Sequence, residues 1–358
     1  SPTCGWPSPP QRGLAAWIFL LLLPGLSDGG KLLVVPMDGS HWLSMRQVVE
    51  KLTERGHEVV VVIPEVSWQM GMTQAYTVKT YPVSFTLEEL DGAFHEYVHS
   101  HLKGLPFPQN ALALYNSSIA VFNVFFSHCK DLFRNRELMQ YLNQSDFDAL
   151  LTDPISLCGA IVANYFSLPF IFFMRGFPCG LHYTATQCPN PLSYVPRLFT
   201  FNSDRMTFFQ RVENALVALL ELGYCNGFYA EAMKFSSEVL QRDVSLLDLL
   251  TSASIWLLRF DYVLEYVRPV MPNMIFVGGI NCVQKKPLSK VRSFSPDYTF
   301  SNEIGFFQIA HKESSYDLNT AKFRNVSYSN LSKLFLIFWV FLFFNHKTPI
   351  THLNNWVT

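Results

Sequence analysis

The sequence KLLVVPMDGSHWLSMRQVVEKLTERGHEVVVVIP, residues 31–64, predicts a β-strand, a loop, an α-helix and a second β-strand. Residues 32–35 form an apolar run that ends at Pro36, as expected of a strand buried on both faces of a sheet. Residues 59–63 repeat this pattern before Pro64. Because a strand–helix–strand unit of this size forms a right-handed crossover between parallel strands, the chain is predicted to be an α/β protein.

The helix in this stretch is indicated by its apolar spacing and by its ends. Four apolar residues fall at positions i, i+3, i+4 and i+7 of one helical face: Met45, Val48, Val49 and Leu52. Ser44 followed by Gln47 matches a capping box, which predicts that the helix begins near Ser44. Its predicted end is at Arg55 and Gly56, a basic last turn followed by a residue that tolerates a left-handed backbone.

With these boundaries, His41 is predicted to lie in the loop between the first strand and the helix. Ligand crevices of open α/β sheets form at this edge, beyond the carboxyl ends of the strands. The loop has no G-x-G-x-x-G sequence, so a dinucleotide cofactor is not favoured. An imidazole beside an aromatic residue suits proton transfer with an apolar ligand, although a histidine in such a loop is more often a packing residue.

The remaining elements are predicted by the same rules. Apolar runs indicate strands at residues 147–152, 169–174, 254–258 and 274–277. Residues 65–146 are predicted to be mostly helical, with loops. A further helix is predicted from residue 203 onward, and an apolar stripe is expected to bury it in the core: Phe208, Val212, Ala215, Leu216 and Leu219.

Composition restricts the class of protein. The 358 residues carry a net charge of −1 and no basic block, so no nucleic-acid partner is predicted. Only 15% of the residues are charged and 49% are hydrophobic, against about 25% charged residues in typical soluble proteins. Such a composition indicates a large core, an oily ligand pocket or a position close to a membrane.

Residues 1–30 are typical of a secretory signal peptide that lacks its initiator methionine. Arg12 is the only charged residue before an apolar run at residues 14–23, and small residues follow the run. The mature chain is therefore predicted to begin near residues 29–31, inside the secretory pathway.

Entry into that pathway would permit two covalent modifications. Asn116 and Asn143 lie in Asn-X-Ser tripeptides and are predicted glycosylation sites. Six cysteines follow the predicted signal peptide, in a compartment where disulfides persist: Cys129, Cys158, Cys179, Cys188, Cys225 and Cys282. The sequence does not select among their pairings, and their spacing does not match a metal site.

Five motifs extend over most of the chain: VPMDGSHWLSM (35–45), LLTDP (150–154), FMRGFPC (173–179), QCPNPLSYVPR (187–197) and MPNMIFVGGINC (271–282). All five resemble the amino-terminal, acceptor-binding half of the UDP-glucuronosyltransferases of family 1. The resemblance covers residues 31–288 and implies the amino-terminal Rossmann-like domain, with a parallel sheet, of a GT-B-type glycosyltransferase.

The resemblance also implies roles for individual residues. His41 matches the histidine that deprotonates the acceptor, and Asp153 matches its carboxylate partner. Aspartate followed by proline is equally what a helix N-terminus requires, so capping of a helix at residues 155–166 would also explain Asp153. Other resembling positions give candidate acceptor-pocket residues: Trp42, Arg175 and Phe177.

The implied reaction is transfer of glucuronic acid from UDP-glucuronate, with inversion, to hydroxyl groups of lipophilic acceptors. Phenols, steroids, bilirubin-like compounds and xenobiotics are such acceptors. The resemblance implies no bound cofactor and no metal, and it implies a membrane-associated position on the lumenal side of the endoplasmic reticulum.

Residues 289–358 do not resemble the donor-binding half of that family. They are predicted to be a disordered tail with an apolar segment at residues 334–344, whose helical length of about 16 Å is too short for a bilayer core of about 30 Å. The chain alone is therefore expected to be inactive. The alternative is a non-catalytic lumenal protein that binds lipophiles or regulates full-length transferases in a homo- or hetero-oligomer.

Overall fold

The computed structural model describes residues 29–280, except residues 74, 103–108, 177, 198–199, 201 and 261–264. The signal-peptide prediction for residues 1–28, Phe177 and the predicted tail lie outside the described residues. The chain divides into two units, residues 1–102 with 113–283 and residues 103–112 with 284–358. Of the second unit only residues 109–112 are described.

The described strands form one sheet in which every paired strand is parallel to its neighbour. In chain order they are β1 (Lys31–Val35), β2 (Glu58–Pro64), β3 (Thr77–Tyr81), β4 (Ala149–Thr152), β5 (Phe170–Met174), β6 (Ile255–Leu258) and β7 (Met274–Phe276). Their spatial order is β3-β2-β1-β4-β5-β6-β7. The chain therefore moves outward from β1 to β3 and then returns to the other side of β1. The strand order reverses between β1 and β4, where open α/β sheets form their ligand crevice.

The helices described alongside this sheet are α1 (Ser40–Glu54), α2 (Leu87–Leu102), α3 (Gln109–Arg134), α4 (Arg136–Asn143), α5 (Cys158–Phe166), α6 (Leu181–Ala185), α7 (Phe208–Phe228), α8 (Ala230–Leu240) and α9 (Leu246–Thr251). A short 3₁₀ turn, Pro178–Gly180, precedes α6. No helix in the described part of the chain is both long enough and apolar enough to cross a bilayer.

Alternate residues of the strands fill two cores on opposite faces of the sheet. One core contains Leu33 and Val35 of β1, packed with apolar residues of α3, α5, α8 and α9. The other contains Val34, packed with Trp42 and Met45 of α1. Because both faces are buried, β1 needs apolar residues at every position, which is why the continuous run in the sequence predicted it correctly.

The N-terminus of α1 differs from its prediction. The helix begins at Ser40 and not near Ser44, with Gly39 as its N-cap at φ 70°. Ser44 lies inside the helix, where its hydroxyl donates to the carbonyl oxygen of Ser40 at 2.9 Å. His41 is therefore part of the first helical turn and not of a loop.

Strand β3 lies within the region that was predicted to be mostly helical. It is an edge strand with the sequence TVKTY, and only Tyr81 is fully buried. A strand at a sheet edge needs little apolar surface, so it gives no apolar run in the sequence. The helices α2, α3 and α4 account for most of the rest of the region, as predicted.

Helix α7 also differs from its prediction. It begins at Phe208, with a capping box formed by Thr207 and Gln210. Three residues of the predicted core stripe are exposed instead, Phe208 (73%), Val212 (41%) and Leu219 (66%), and the other two are half-buried. The buried residues of the helix are polar or cross-linked, namely Asn214, Glu221 and Cys225.

Hydrogen bonds and an ion pair explain why polar residues of α7 point inward. The Asn214 amide donates to the carbonyl oxygens of Leu192 and Val195 and accepts from the backbone N–H of Arg197. The Arg197 guanidinium is itself buried and forms an ion pair with Glu221. This network attaches the segment that follows α6 to α7 without an apolar stripe.

Two disulfides connect elements that are distant in sequence. Cys129 of α3 is bonded to Cys158 at the start of α5, and Cys179 is bonded to Cys225 of α7. Cys188 is a buried free thiol. The sequence left these pairings open because the partners meet only after the helices have packed on the sheet.

Candidate active site

The candidate site lies at the carboxyl edge of three adjacent strands. Helix α1, which carries His41, follows β1; Asp153 directly follows β4; and Arg175 directly follows β5. Because β1 and β4 are neighbours at the point where the strand order reverses, the first two residues meet although they are 112 positions apart in sequence.

His41 and Asp153 form a close pair. The distance from His41 Nδ1 to Asp153 Oδ2 is 2.7 Å. The Asp153 side chain is completely buried, whereas the His41 side chain is 19% exposed. The pair thus has its carboxylate inside the protein and its imidazole open to the crevice.

The second carboxylate oxygen of Asp153 has a structural role. Oδ1 accepts the backbone N–H of Ile155 at 2.9 Å, which closes a turn after β4. Helix α5 begins at Cys158, with Leu157 as its N-cap, so the prediction that Asp153 caps a helix starting at Ile155 was wrong. The aspartate stabilises a turn instead, and this turn holds the other oxygen toward His41.

This geometry defines the tautomer of the imidazole. A carboxylate can only accept hydrogen bonds, so Nδ1 carries the proton and Nε2 presents a lone pair. None of the described residues hydrogen-bonds Nε2. His41 is therefore arranged to accept a proton at Nε2, while Asp153 compensates the positive charge that results.

Arg175 lies against the residue that precedes His41. Its guanidinium Nη1 donates a hydrogen bond to Ser40 Oγ, and the arginine is partly buried. The predicted pocket residue Trp42 has a different environment, since it is only 2% exposed and packs edge-on against Tyr76 within a core. The structure thus places Arg175 against Ser40, the residue before His41, whereas Trp42 belongs to the packing of a core.

Asp38 fixes the loop from which His41 emerges. Its carboxylate accepts the backbone N–H groups of Gly39 (2.6 Å), Trp68 (2.7 Å) and Gln69 (3.2 Å). These bonds tie the end of β1 to the loop after β2. The sequence analysis missed this residue, although an aspartate before a glycine at a strand end is a common turn signal.

A half-buried aromatic cluster borders the same loop. The Trp68 ring packs edge-on against Phe94 of α2 and Phe125 of α3, with ring centroids 5.0 and 5.4 Å apart. Tyr97 extends the cluster beside Phe94. A Cβ placed on Gly39 would lie 3.7 Å from Trp68, so the indole lies beside the loop that leads to His41. No sequence motif marked these rings.

Tyr229 lies close to the buried carboxylate. Complete burial raises the pKa of the Tyr229 phenol well above its usual value, and the negative charge of Asp153 raises it further. The phenol therefore stays neutral and adds no second negative charge beside the dyad.

The predicted glycosylation sites lie away from these residues. Asn116 is exposed on α3, but its tripeptide partner Ser118 is buried and donates to the carbonyl oxygen of Leu114. Asn143 is exposed at the last residue of α4. Both sites stay predictions. Within the described ranges, no group of three or more His, Cys, Asp or Glu side chains is arranged to hold a metal ion.

The sequence also matches a known protein family. Residues 30–296 match the sequence model described as "UDP-glucoronosyl and UDP-glucosyl transferase". The chain belongs to this family. The predicted glycosyltransferase family is thus confirmed, and the parallel sheet together with this match confirms the predicted fold class, an α/β Rossmann-like domain of a GT-B-type glycosyltransferase.

The chain is similar in sequence to individual members of the family. It is 52% identical over 284 residues to human UDP-glucuronosyltransferase 1A8, a match that covers 79% of the chain and 53% of the relative. It is 52% identical over 276 residues to mouse UDP-glucuronosyltransferase 1A9, covering 76% of the chain and 52% of the relative. The chain is a family 1 member that spans about half the length of the relatives it matches.

Solved structures show a more distant likeness. Spinosyn forosaminyltransferase SpnP is 12% identical with a TM-score of 0.38, covering 70% of this chain and 50% of its own. Medicago truncatula UGT71G1 complexed with UDP-glucose is 12% identical with a TM-score of 0.37, covering 67% of this chain and 48% of its own. At such values the family assignment rests on the sequence matches.

Proposed function

We propose that this chain supplies the acceptor-activating half of a UDP-glucuronosyltransferase. The enzyme would transfer glucuronic acid from UDP-glucuronate to a hydroxyl group of a lipophilic acceptor. The observation that carries this proposal is the 2.7 Å contact between His41 Nδ1 and the buried Asp153 Oδ2, located where the strand order reverses.

The proposed chemistry follows from the tautomer. When an acceptor oxygen attacks the anomeric carbon, its proton moves to His41 Nε2 and the bond to UDP breaks, with the electron pair leaving on the diphosphate. Asp153 holds the imidazole in place and stabilises the imidazolium. Direct displacement inverts the anomeric centre, so an α-linked donor gives a β-glucuronide.

The surroundings of the dyad support a lipophilic acceptor. The cluster of Trp68, Phe94, Tyr97 and Phe125 offers partly exposed ring surface beside the loop that precedes His41. Rings of this kind bury apolar molecules and stack against planar ones. We propose phenols and other flat apolar alcohols as acceptors.

Turnover requires a donor-binding domain in addition to the domain described above. Holding two reactants in register contributes up to about 7–11 kcal/mol to lowering a barrier. We therefore expect residues 31–288 on their own to bind acceptors but to form little or no glucuronide. A lumenal position in the endoplasmic reticulum is part of the proposal, and the two disulfides support an oxidising compartment.

A fusion protein tests the role of the dyad. Residues 31–288 would be joined to the donor half of human UDP-glucuronosyltransferase 1A8 and assayed with UDP-glucuronate and a fluorescent phenol. We expect His41→Ala and Asp153→Asn to lower kcat at least about 10²-fold because proton transfer is lost or misdirected. Binding of the phenol, measured by fluorescence, should change little.

The matched control is His99→Ala, which removes an exposed imidazole from α2 and should leave kcat unchanged. Normal turnover in His41→Ala would disprove the proposed base. Binding of the phenol without turnover in the unmutated fusion would instead favour the alternative, a non-catalytic lipophile-binding protein or a regulatory partner of full-length transferases.

A further inference from the structure

Arg175 lies at the same sheet edge as the dyad. It directly follows β5, the neighbour of β4, and its guanidinium donates to the hydroxyl of Ser40, the residue before His41. The guanidinium of Arg175 thus contacts the residue that precedes the proposed base in sequence. The proposed proton transfer to His41 does not use this charge, so its presence requires a separate explanation.

The contacts of Arg175 differ from those of other arginines that are removed from water. Arg197 is paired with Glu221, and Arg268 is paired with Glu265. No carboxylate among the described residues lies within 4.0 Å of Arg175, and its hydrogen bond goes to a neutral hydroxyl. A guanidinium has five N–H donors, and among the described residues Ser40 occupies one of those of Arg175.

The immediate surroundings favour a negative charge. Helix α1 has no acidic residue in its first turn, and its N-cap Gly39 has no side chain that could accept a hydrogen bond. The carboxylates of Asp38 and Asp153 are already engaged, Asp38 with backbone N–H groups and Asp153 with His41 and the backbone of Ile155. Within the described part of the chain, the positive charge of Arg175 therefore has no carboxylate paired with it.

We propose that Arg175 binds a carboxylate group of the substrate. The planar fork of a guanidinium matches the two oxygens of a carboxylate better than it matches a hydroxyl. Two substrate groups have this chemistry: the carboxylate of a hexuronic acid donor, and the carboxylate of an acidic acceptor. The inference rests on the proposed function, because it assumes that the reacting sugar and acceptor meet at His41.

A binding experiment on the full chain tests this inference and separates the two sources. One arm compares methyl α-D-glucuronide with methyl α-D-glucoside, and the other compares 4-hydroxybenzoate with its methyl ester. Dissociation constants would be obtained by NMR from shifts of the His41 ring protons. In at least one arm we expect the carboxylate to bind about tenfold more tightly than its neutral partner.

Variants then assign the preference to Arg175. Arg175→Gln should remove the tenfold preference, and Arg175→Lys should keep part of it because the charge remains. Arg46→Gln is the control, since Arg46 lies on the exposed side of the same helix as His41, where it pairs with Glu50. The control should retain the full preference. Thermal unfolding of each variant reports whether the fold is kept, and Arg175→Lys decides the outcome if Arg175→Gln does not fold.

Three results would overturn the inference: no preference for a carboxylate in either arm, no binding of any probe, or a preference that persists in Arg175→Gln and Arg175→Lys alike. These results are independent of turnover. If the fusion protein shows that His41 is the base but no carboxylate preference is found, only the inference about Arg175 fails. If the preference is found without turnover, only the proposed function fails.

Discussion

Asp153 serves the backbone and the site with different oxygens of one carboxylate. Oδ1 accepts from Ile155 and closes the turn after β4, while Oδ2 contacts the imidazole of His41. The turn restricts the rotation of the carboxylate, so the second contact requires no further ordering when a substrate binds. The turn formed by Asp153 thus also orients its carboxylate for the proposed chemistry.

His182 of α6 gives the stability of the domain a pH dependence. Burial, together with the positive charges of Arg268 and Arg197, lowers the pKa of His182 to about 3. An unfolded histidine has a pKa of about 6.5. As the pH falls, His182 is therefore protonated in the unfolded chain before it is protonated in the folded chain. The free energy of unfolding keeps its full value above about pH 6.5 and decreases as the pH falls toward 3. We expect a loss of about 2 kcal/mol between pH 7 and pH 5.

Urea unfolding at the two pH values, followed by circular dichroism, measures this loss. His182→Phe keeps an aromatic ring beside Tyr183 and Trp256 but has no titrating group. Its free energy of unfolding should fall less between pH 7 and pH 5 than that of the unmutated chain. An equal decrease in both proteins would show that other groups cause the pH dependence.

At the scale of elements, the sequence predicted the strands that are buried on both faces. Continuous apolar runs marked β1, β2, β4 and β5, and the ends agree within a few residues. The edge strand β3 was missed because it needs no such run. The stripe of α7 was misplaced because Asn214 and Glu221 pack inward through hydrogen bonds and an ion pair, which hydrophobic periodicity does not detect.

The site was predictable to a smaller extent than the sheet. His41 and Asp153 were assigned through the resemblance of their motifs, and the structure places them in contact. Arg175 contacts Ser40, which is 135 positions away in sequence. Asp38 bonds to the loop after β2, about 30 positions away. Their partners are set by strand order, so local patterns in the sequence did not reveal them.

The close packing of α5 on the sheet gives a prediction at this scale. A Cβ on Gly159 would overlap the side chain of Thr152 in β4, whereas a Cβ on Gly92, in the exposed part of α2, meets nothing within 4 Å. Gly159→Ala should lower the free energy of unfolding by about 1–3 kcal/mol through overpacking. Gly92→Ala should raise it by up to about 1 kcal/mol because alanine favours a helix.

Denaturant unfolding of both variants beside the unmutated chain provides the measurement. The two substitutions add the same methyl group to a helical glycine, so their opposite signs isolate the effect of the contact with β4. An unchanged or increased stability of Gly159→Ala would mean that α5 can move away from the sheet at no cost.

At the scale of the whole molecule, the disulfides anchor the segments that follow the site residues. Cys158 lies shortly after Asp153 and is bonded to α3, while Cys179 lies shortly after Arg175 and is bonded to α7. Reduction should lower the free energy of unfolding by about 2–4 kcal/mol for each bond. The urea midpoints of oxidised and reduced chain, compared under otherwise equal conditions, measure the effect.

Paired alanine variants assign the loss to each bond. Cys129→Ala with Cys158→Ala, and Cys179→Ala with Cys225→Ala, should each reproduce part of the effect of reduction. Cys188→Ala removes a free thiol and should leave the response to reduction unchanged. Coincident midpoints of the oxidised and reduced chain would show that the two bonds do not contribute to stability.

The sequence separation of 112 positions between His41 and Asp153 makes the domain modular for protein engineering. That segment leaves the sheet after β3, forms α2, α3 and α4, and returns at β4. The strands that precede the two dyad residues, β1 and β4, stay paired in the sheet. Phe94, Tyr97 and Phe125 belong to the excursion, whereas the dyad does not. A library that randomises the exposed ring positions of α2 and α3 would therefore vary the shape offered to an acceptor and leave the proton-accepting machinery intact.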